Sequence, residues 1–172
     1  MLVVLVGPSY SGKSTVCEFF KRYYKEQELP MYVICPDDIR KEILGDASDQ
    51  SNGKMIFETA YERVDKALNS SLNTVFFDAT SLTPARRKPL IEIAKKHRVS
   101  CFAAVMPDFT EEELTARVAT RERKVPLDVV YAQKQRMVYP TVEEGFDYTM
   151  EIPKSSLDIM KERLNDFTVD LQ

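Results

Sequence analysis

Histidine is almost missing from this chain: His97 is the one histidine among 172 residues. It sits in Lys95-Lys96-His97-Arg98, which reads as the exposed last turn of a helix, where cations offset the helix dipole. A catalytic histidine does not fit that place, so any general base should be a carboxylate. Cysteine is scarce as well. Cys17, Cys35 and Cys101 lie far apart and form no C-x-x-C pair, which argues against structural zinc. Reduced thiols in a cytoplasmic compartment fit this usage. No apolar run approaches the ~20 residues that a membrane span needs. The N-terminus enters a strand at once, without the basic region, apolar stretch and cleavage site of a signal peptide. An excess of positive charge is also absent. Lys and Arg number 24 against 27 Asp and Glu, a net charge of −3. A protein that coats nucleic acid non-specifically needs the opposite balance. An enzyme that gathers a few basic residues around one strand end does not.

What remains is the composition of an ordinary folded chain, 44% hydrophobic and 30% charged. Its length suits a single domain over residues 1–172, one that buries roughly 70% of its unfolded surface. Short apolar runs at 2–6, 31–35, 74–77, 99–106 and 148–152 read as strands. Between them lie helical patterns at 15–24, 36–44, 54–70, 83–96, 110–120 and 126–138, with a last helix capped by Ser155. Residues 45–53 are polar and read as a loop. The alternation predicts an α/β domain with an open, mostly parallel sheet of about five strands flanked by helices.

One motif stands out. Gly7-Pro8-Ser9-Tyr10-Ser11-Gly12-Lys13-Ser14 spells G-x-x-x-x-G-K-[ST], the P-loop pattern. It follows the buried run Leu2-Val3-Val4-Leu5-Val6 and precedes a helical pattern from Thr15, which is the strand, loop and helix context the motif requires. Gly7 and Gly12 allow a tight turn that brings N–H groups up to phosphate oxygens, and the helix N-terminus places partial positive charge beneath them. Ser9, Tyr10, Ser11 and Thr15 line the same cradle. Lys13 can reach β- and γ-phosphates, and the Ser14 hydroxyl can ligate Mg²⁺. The chain is therefore expected to bind a nucleoside triphosphate, ATP by default.

Ligands of open parallel sheets bind outside the carboxyl ends of the strands, so the residues just after each strand are the next candidates. After the second strand stand Cys35-Pro36-Asp37-Asp38-Ile39-Arg40. Asp37 and Arg40 are three apart and share a helical face. Asp37 can act as base on an attacking hydroxyl and Arg40 can hold an acceptor phosphate; dipole compensation and a surface ion pair explain the same spacing. Asp78 ends the third strand, the place of a Walker-B-type acid that orders Mg²⁺ or fixes Ser14. Arg117, Arg121, Arg123 and Lys124 form a basic run that suits a lid over the nucleotide, or a solvated face. Arg86-Arg87-Lys88 opens a helix, where the dipole disfavours cations. An anionic partner and internal pairing with acids both answer that misfit.

Taken in order, these segments resemble the kinase domain of polynucleotide 5′-hydroxyl kinases of the phage type, from the P-loop through about Phe146. The similarity rests on the P-loop, on Asp37-Asp38-Ile39-Arg40, and on Asp78-Ala79-Thr80 before Pro84-Ala85-Arg86-Arg87. It rests also on Arg121 through Val125-Pro126-Leu127-Asp128-Val129, and on Pro140 through Glu144-Gly145-Phe146. Ala79 departs from the family by standing between Asp78 and Thr80. The resemblance implies ATP and Mg²⁺ as cofactors and a DNA or RNA 5′ end as the partner. It implies Lys13 and Ser14 on phosphates and metal, and Asp37 as general base. Arg40 would hold the acceptor's 3′-phosphate, with Thr80 and Arg87 on the acceptor side. Arg121 would be the lid arginine, and Arg117 a second candidate. Relatives in the same group phosphorylate other alcohols, including hydroxymethyluracil bases, nucleosides and nucleotides, and an ATP-driven switch remains an alternative of a different class.

Overall fold

Five strands, β1 (Leu2–Val6), β2 (Met31–Ile34), β3 (Thr74–Phe77), β4 (Cys101–Val105) and β5 (Tyr148–Glu151), form one sheet in the order β2-β3-β1-β4-β5. The computed structural model describes residues 1–119 and 124–169, with side chains to residue 165. Every strand pair is parallel, so the sheet is parallel throughout rather than mostly so. β1 lies between β3 and β4, and all five of its residues are buried. This explains its unbroken apolar sequence, since a parallel strand covered on both faces has no solvent side.

The alternation of β1 divides the core. Leu2, Val4 and Val6 point into a cluster with Ile39 of α2 (Pro36–Leu44), Ile56, Ala60 and Val64 of α3 (Gly53–Ala67), and Leu90, Ile91 and Ala94 of α4 (Pro84–His97). Val3 and Leu5 point to the other face. They meet Val16 and Cys17 of α1 (Lys13–Glu26), Leu114 of α5 (Glu111–Ala119), Val130 of α6 (Leu127–Arg136) and Leu157 of α7 (Lys154–Val169). The period-2 pattern of the strand thus recruits two helical layers, each through an apolar helix face.

The topology places the site. From β1 the chain crosses to β2 on one side of the sheet, and later from β3 to β4 on the other, so the order reverses beside β1. A crevice opens at such a reversal, at the carboxyl ends of the strands. The loop after β1 and the first turns of α2 and α4 all rise at that end.

Two local expectations change. His97 is partly buried and its Nε2 lies 2.8 Å from Asp65 Oδ1, which also accepts from Lys96 Nζ. A carboxylate on the neighbouring helix thus pairs the histidine, which the local sequence does not show. The helix expected at 126–138 begins at Leu127, because Pro126 serves as its N-cap, and ends at Arg136. Among the described residues no helix is long and apolar enough to cross a membrane.

Candidate active site

The loop from Gly7 to Ser14 closes around the amine of Lys13. Lys13 Nζ donates to Gly7 O at 3.0 Å, to Pro8 O at 2.6 Å and to Ser11 Oγ at 3.4 Å. Ser11 Oγ in turn donates to Pro8 O at 2.8 Å. The side chains of Lys13 and Ser11 thereby stiffen the arm of the loop nearest β1. Gly7 is anchored by its N–H to Thr80 O at 3.0 Å, so Thr80 enters the site through its backbone. Both glycines are required by their surroundings. A Cβ on Gly7 would stand 2.8 Å from Met106 Cβ. Gly12 has φ +99°, and a Cβ there would stand 2.9 Å from Leu157 Cδ1. Tyr10 also adopts a positive φ of 65°. Lys13, Ser14 and Thr15 form the first turn of α1, where N–H groups without intrahelical partners suit an anion.

Lys13 is 9% exposed. Burial lowers its pKa to about 8, and the charge of Asp78 opposes the shift. Asp78 shows the converse: burial pushes its carboxyl up, and Lys13 with the Ser14 hydroxyl holds it back. Ser14 Oγ donates to Asp78 Oδ2 at 3.0 Å, across 64 residues of sequence. This hard-oxygen pair fits Mg²⁺, which takes few protein ligands and keeps waters and substrate phosphates for the rest. No cluster of three or more His, Cys, Asp or Glu side chains able to hold a metal occurs among the described residues. Burial also pushes the thiols of Cys17 and Cys35 up, Cys35 to about 12, so neither is a nucleophile at neutral pH.

Asp37 stands in the first turn of α2, half-exposed, and its charge is felt by both Lys13 and Asp78. The structure therefore brings Asp37, Lys13, Ser14 and Asp78 together. Arg40 sits beneath Asp37. Its Nη1 donates to Asp37 Oδ1 and, at 3.3 Å, to Ala47 O. At 3% exposure its guanidinium is under the carboxylate and not on a surface that an acceptor reaches. Where the sequence expectation has Arg40 on an acceptor phosphate, the guanidinium here is engaged by Asp37 and Ala47 O.

Arg87, expected on the acceptor side or in internal pairing, takes the internal pairing. It is fully buried, with Nε and Nη2 on Glu144 at 2.8 and 2.6 Å, and Nη1 on Ser81 O and Val138 O at 3.0 Å each. It ties the loop after β3 to the segment before β5, and its guanidinium is enclosed by these partners. Its neighbour Arg86 points outward, with Cζ 4.3 Å from the Phe57 ring centroid. Successive helical residues differ by about 100° in direction, so of two adjacent arginines one is a strut and the other a surface group.

Arg117 reaches the loop. Its Nη1 donates to Tyr10 O at 3.1 Å and its guanidinium lies over the Phe109 ring, 3.6 Å from the centroid. Arg121, the expected lid arginine, lies outside the described residues, as does Arg123. Two contacts were not foreseen from sequence. Tyr10 OH is bonded to both the carbonyl and the N–H of Val125, and Gln133 Oε1 accepts from Ser9 N–H at 2.7 Å. The available signal for Gln133 was its place three residues after Val130, on the inward face of α6.

A family described as an AAA domain matches residues 2–140. Comparison with curated proteins gives no match. Among solved structures, the chain is similar to Kti12 of Chaetomium thermophilum in complex with ADP-AlF3. The TM-score is 0.71 at 15% identity, over 96% of this chain and 98% of that one. It is similar to the APS kinase CysC of Mycobacterium tuberculosis in complex with AMPPNP and APS, with a TM-score of 0.62 at 17% identity, over 95% of each chain. A structure of the Pnkp1/Rnl/Hen1 RNA repair complex gives a TM-score of 0.63 at 20% identity, over 78% of this chain and 43% of that one. At these identities the likeness is one of fold, the α/β fold of P-loop kinases.

Proposed function

The chain belongs to the AAA domain family, and on that premise we propose that it is an ATP-dependent kinase for an alcohol, with the 5′-hydroxyl of DNA or RNA as its acceptor. The observation that carries the reading is Asp37, a carboxylate fixed from below by Arg40 within electrostatic reach of Lys13. A carboxylate has about four acceptor positions, so Asp37 can hold Arg40 and still take a proton from the acceptor O–H. Its proximity to the P-loop lysine suits in-line transfer, where base and phosphoryl group must meet. Nucleotide in the similar Kti12 and CysC structures supports ATP as donor.

In this reading Gly7, Ser9, Tyr10, Ser11, Gly12, Lys13, Ser14 and Thr15 hold the donor phosphates, and Lys13 offsets charge that develops on the transferred group. Ser14 and Asp78 would hold Mg²⁺, which neutralises phosphate charge when bound. Arg117, already at the mouth of the loop, and Arg121 would steady the donor. The whole of residues 1–172 would act as a single domain.

A polynucleotide 5′ end is favoured by the ordered motifs and by the likeness to the RNA repair complex. A smaller acceptor, such as a nucleoside, a nucleotide or a hydroxymethyluracil base, is favoured by one observation. Arg40 and Arg87, the cations expected on the acceptor side, are both buried. The test is label transfer from γ-labelled ATP to a panel of 5′-hydroxyl DNA and RNA, 3′-nucleotides, nucleosides and hydroxymethyluracil DNA. Label on strand 5′ ends supports the first reading. Label only on small acceptors or on the modified base replaces it with the second, and acceptor-independent ATP hydrolysis without transfer points to a switch protein.

A further inference from the structure

Three aromatic rings and a guanidinium stand in series where α3 begins. The Tyr61 ring lies on Phe77, the last residue of β3, with centroids 5.9 Å apart and planes at 22°. Phe57 is one turn earlier in α3, its centroid 6.1 Å from that of Tyr61. Arg86 Cζ lies over the Phe57 ring, 4.3 Å from the centroid. Tyr61 OH secures the start of α4 by donating to Arg86 O at 3.2 Å. Phe77 is buried, Tyr61 and Phe57 are half-buried, and Arg86 is exposed. The series thus leads from the core to the surface and ends on a cation.

Its place follows from the topology. The chain leaves α3 for the amino end of β3, so the start of α3 lies past the carboxyl ends of the strands. Four helical residues rise about 6 Å, which sets Phe57 that far beyond the Tyr61 ring that covers Phe77. Arg86 is in the first turn of α4, at the same end. Asp78 directly follows Phe77, and its carboxyl feels the charge of Asp37. Phe57 and Tyr61 pack on the cluster that contains Ile39 of α2. The series therefore borders the rim where Asp37 and Asp78 stand, on the face of the sheet that α2 covers.

The charge of Arg86 has no acid to meet. Arg87 pairs with Glu144 and Lys88 with Glu92, but among the described residues no carboxylate pairs with Arg86. The dipole of α4 disfavours a cation in its first turn, and the Phe57 ring offsets that only in part. One side of the guanidinium rests on the ring and the other is open to solvent. A planar cation backed by an aromatic ring suits the stacking of a nucleobase. We propose that Arg86, backed by Phe57, is the platform on which the base of the acceptor's 5′-terminal nucleotide stacks while its hydroxyl meets Asp37. The inference rests on the reading of the chain as a kinase for 5′-hydroxyl ends, and adds which part of the acceptor is held and by what.

Label transfer from γ-labelled ATP by the full chain is to be measured on two 5′-hydroxyl oligonucleotides, one complete and one abasic at its 5′-terminal residue. Wild type is compared with Arg86→Ala and Arg86→Lys. Lysine keeps the charge without the plane, so it separates stacking from a phosphate contact. Loss of a stacked base corresponds to a change of about tenfold. Wild type should show an acceptor KM higher by about that factor on the abasic strand, at similar kcat. Both variants should show the same rise already on the complete strand, and should no longer distinguish the two strands. A wild-type KM in Arg86→Lys would make Arg86 a phosphate contact. A wild-type KM in Arg86→Ala, a wild type indifferent to base removal, or variants as sensitive to it as wild type would place the base elsewhere. Each of these results overturns the inference and leaves the kinase reading standing. Wild-type protein that labels neither strand would remove the 5′-hydroxyl reading itself, and the inference with it.

Discussion

Arg40 lies buried beneath Asp37 and donates to its Oδ1, so the carboxylate proposed as the base is fixed from inside the protein. Arg40→Ala should therefore act through Asp37. We expect kcat to fall by up to about a hundredfold, the cost of a misplaced catalytic group, with the acceptor KM little changed. Steady-state kinetics with varied acceptor check this. A large rise in KM at constant kcat would return Arg40 to the acceptor surface.

The Lys13 amine gives a pH signature. Its pKa falls from 10.5 in the unfolded chain to about 8 in the folded protein. Below pH 8 both states carry the proton and the full cost of burying the charge stands. Between about 8 and 10.5 the unfolded state binds more protons, so this group makes stability rise with pH. Phosphate charge beside the amine favours its protonated form. Nucleotide binding above pH 8 should accordingly take up a proton and weaken as pH rises. Calorimetry in buffers of different ionisation enthalpy reads the uptake, which should vanish in Lys13→Met.

Arg87 and Glu144 form a largely buried ion pair. Removing one partner leaves the other uncompensated, at a cost of about 3–5 kcal/mol. Arg87→Ala should unfold at markedly lower temperature or denaturant concentration. Folded protein with wild-type stability and a weakened acceptor KM would instead restore Arg87 as a substrate contact.

Gly12 combines φ +99° with close packing on Leu157. Gly12→Ala should cost about 1–3 kcal/mol from backbone strain and weaken nucleotide binding by displacing the loop. Adding Leu157→Ala makes room for the methyl group but leaves the φ, so the double variant should recover nucleotide affinity only in part. Thermal melts and ATP titrations of both variants decide it.

The sheet, the P-loop and α2 were legible because their signals are local. A continuous apolar run, a glycine spacing and a proline at a helix start need only neighbours in sequence, and α2 occupies Pro36–Leu44 as read. The surroundings that were not legible depend on contacts across the fold. Arg87 and Arg86 are equivalent in sequence, and only Glu144, 57 residues away, makes one of them internal. His97 looked like a solvated cation until α3 supplied Asp65. Gln133 had no motif to mark it, since its partner is a backbone N–H.

The most direct test of the central claim is single-turnover transfer of label from γ-labelled ATP to a 5′-hydroxyl oligonucleotide, by wild-type protein and by Asp37→Asn, with ATP affinity measured in parallel. The account predicts labelled acceptor with wild type, a rate lower by about 10²–10⁴ in the variant, and ATP binding retained by both. Transfer at the wild-type rate by Asp37→Asn would contradict it.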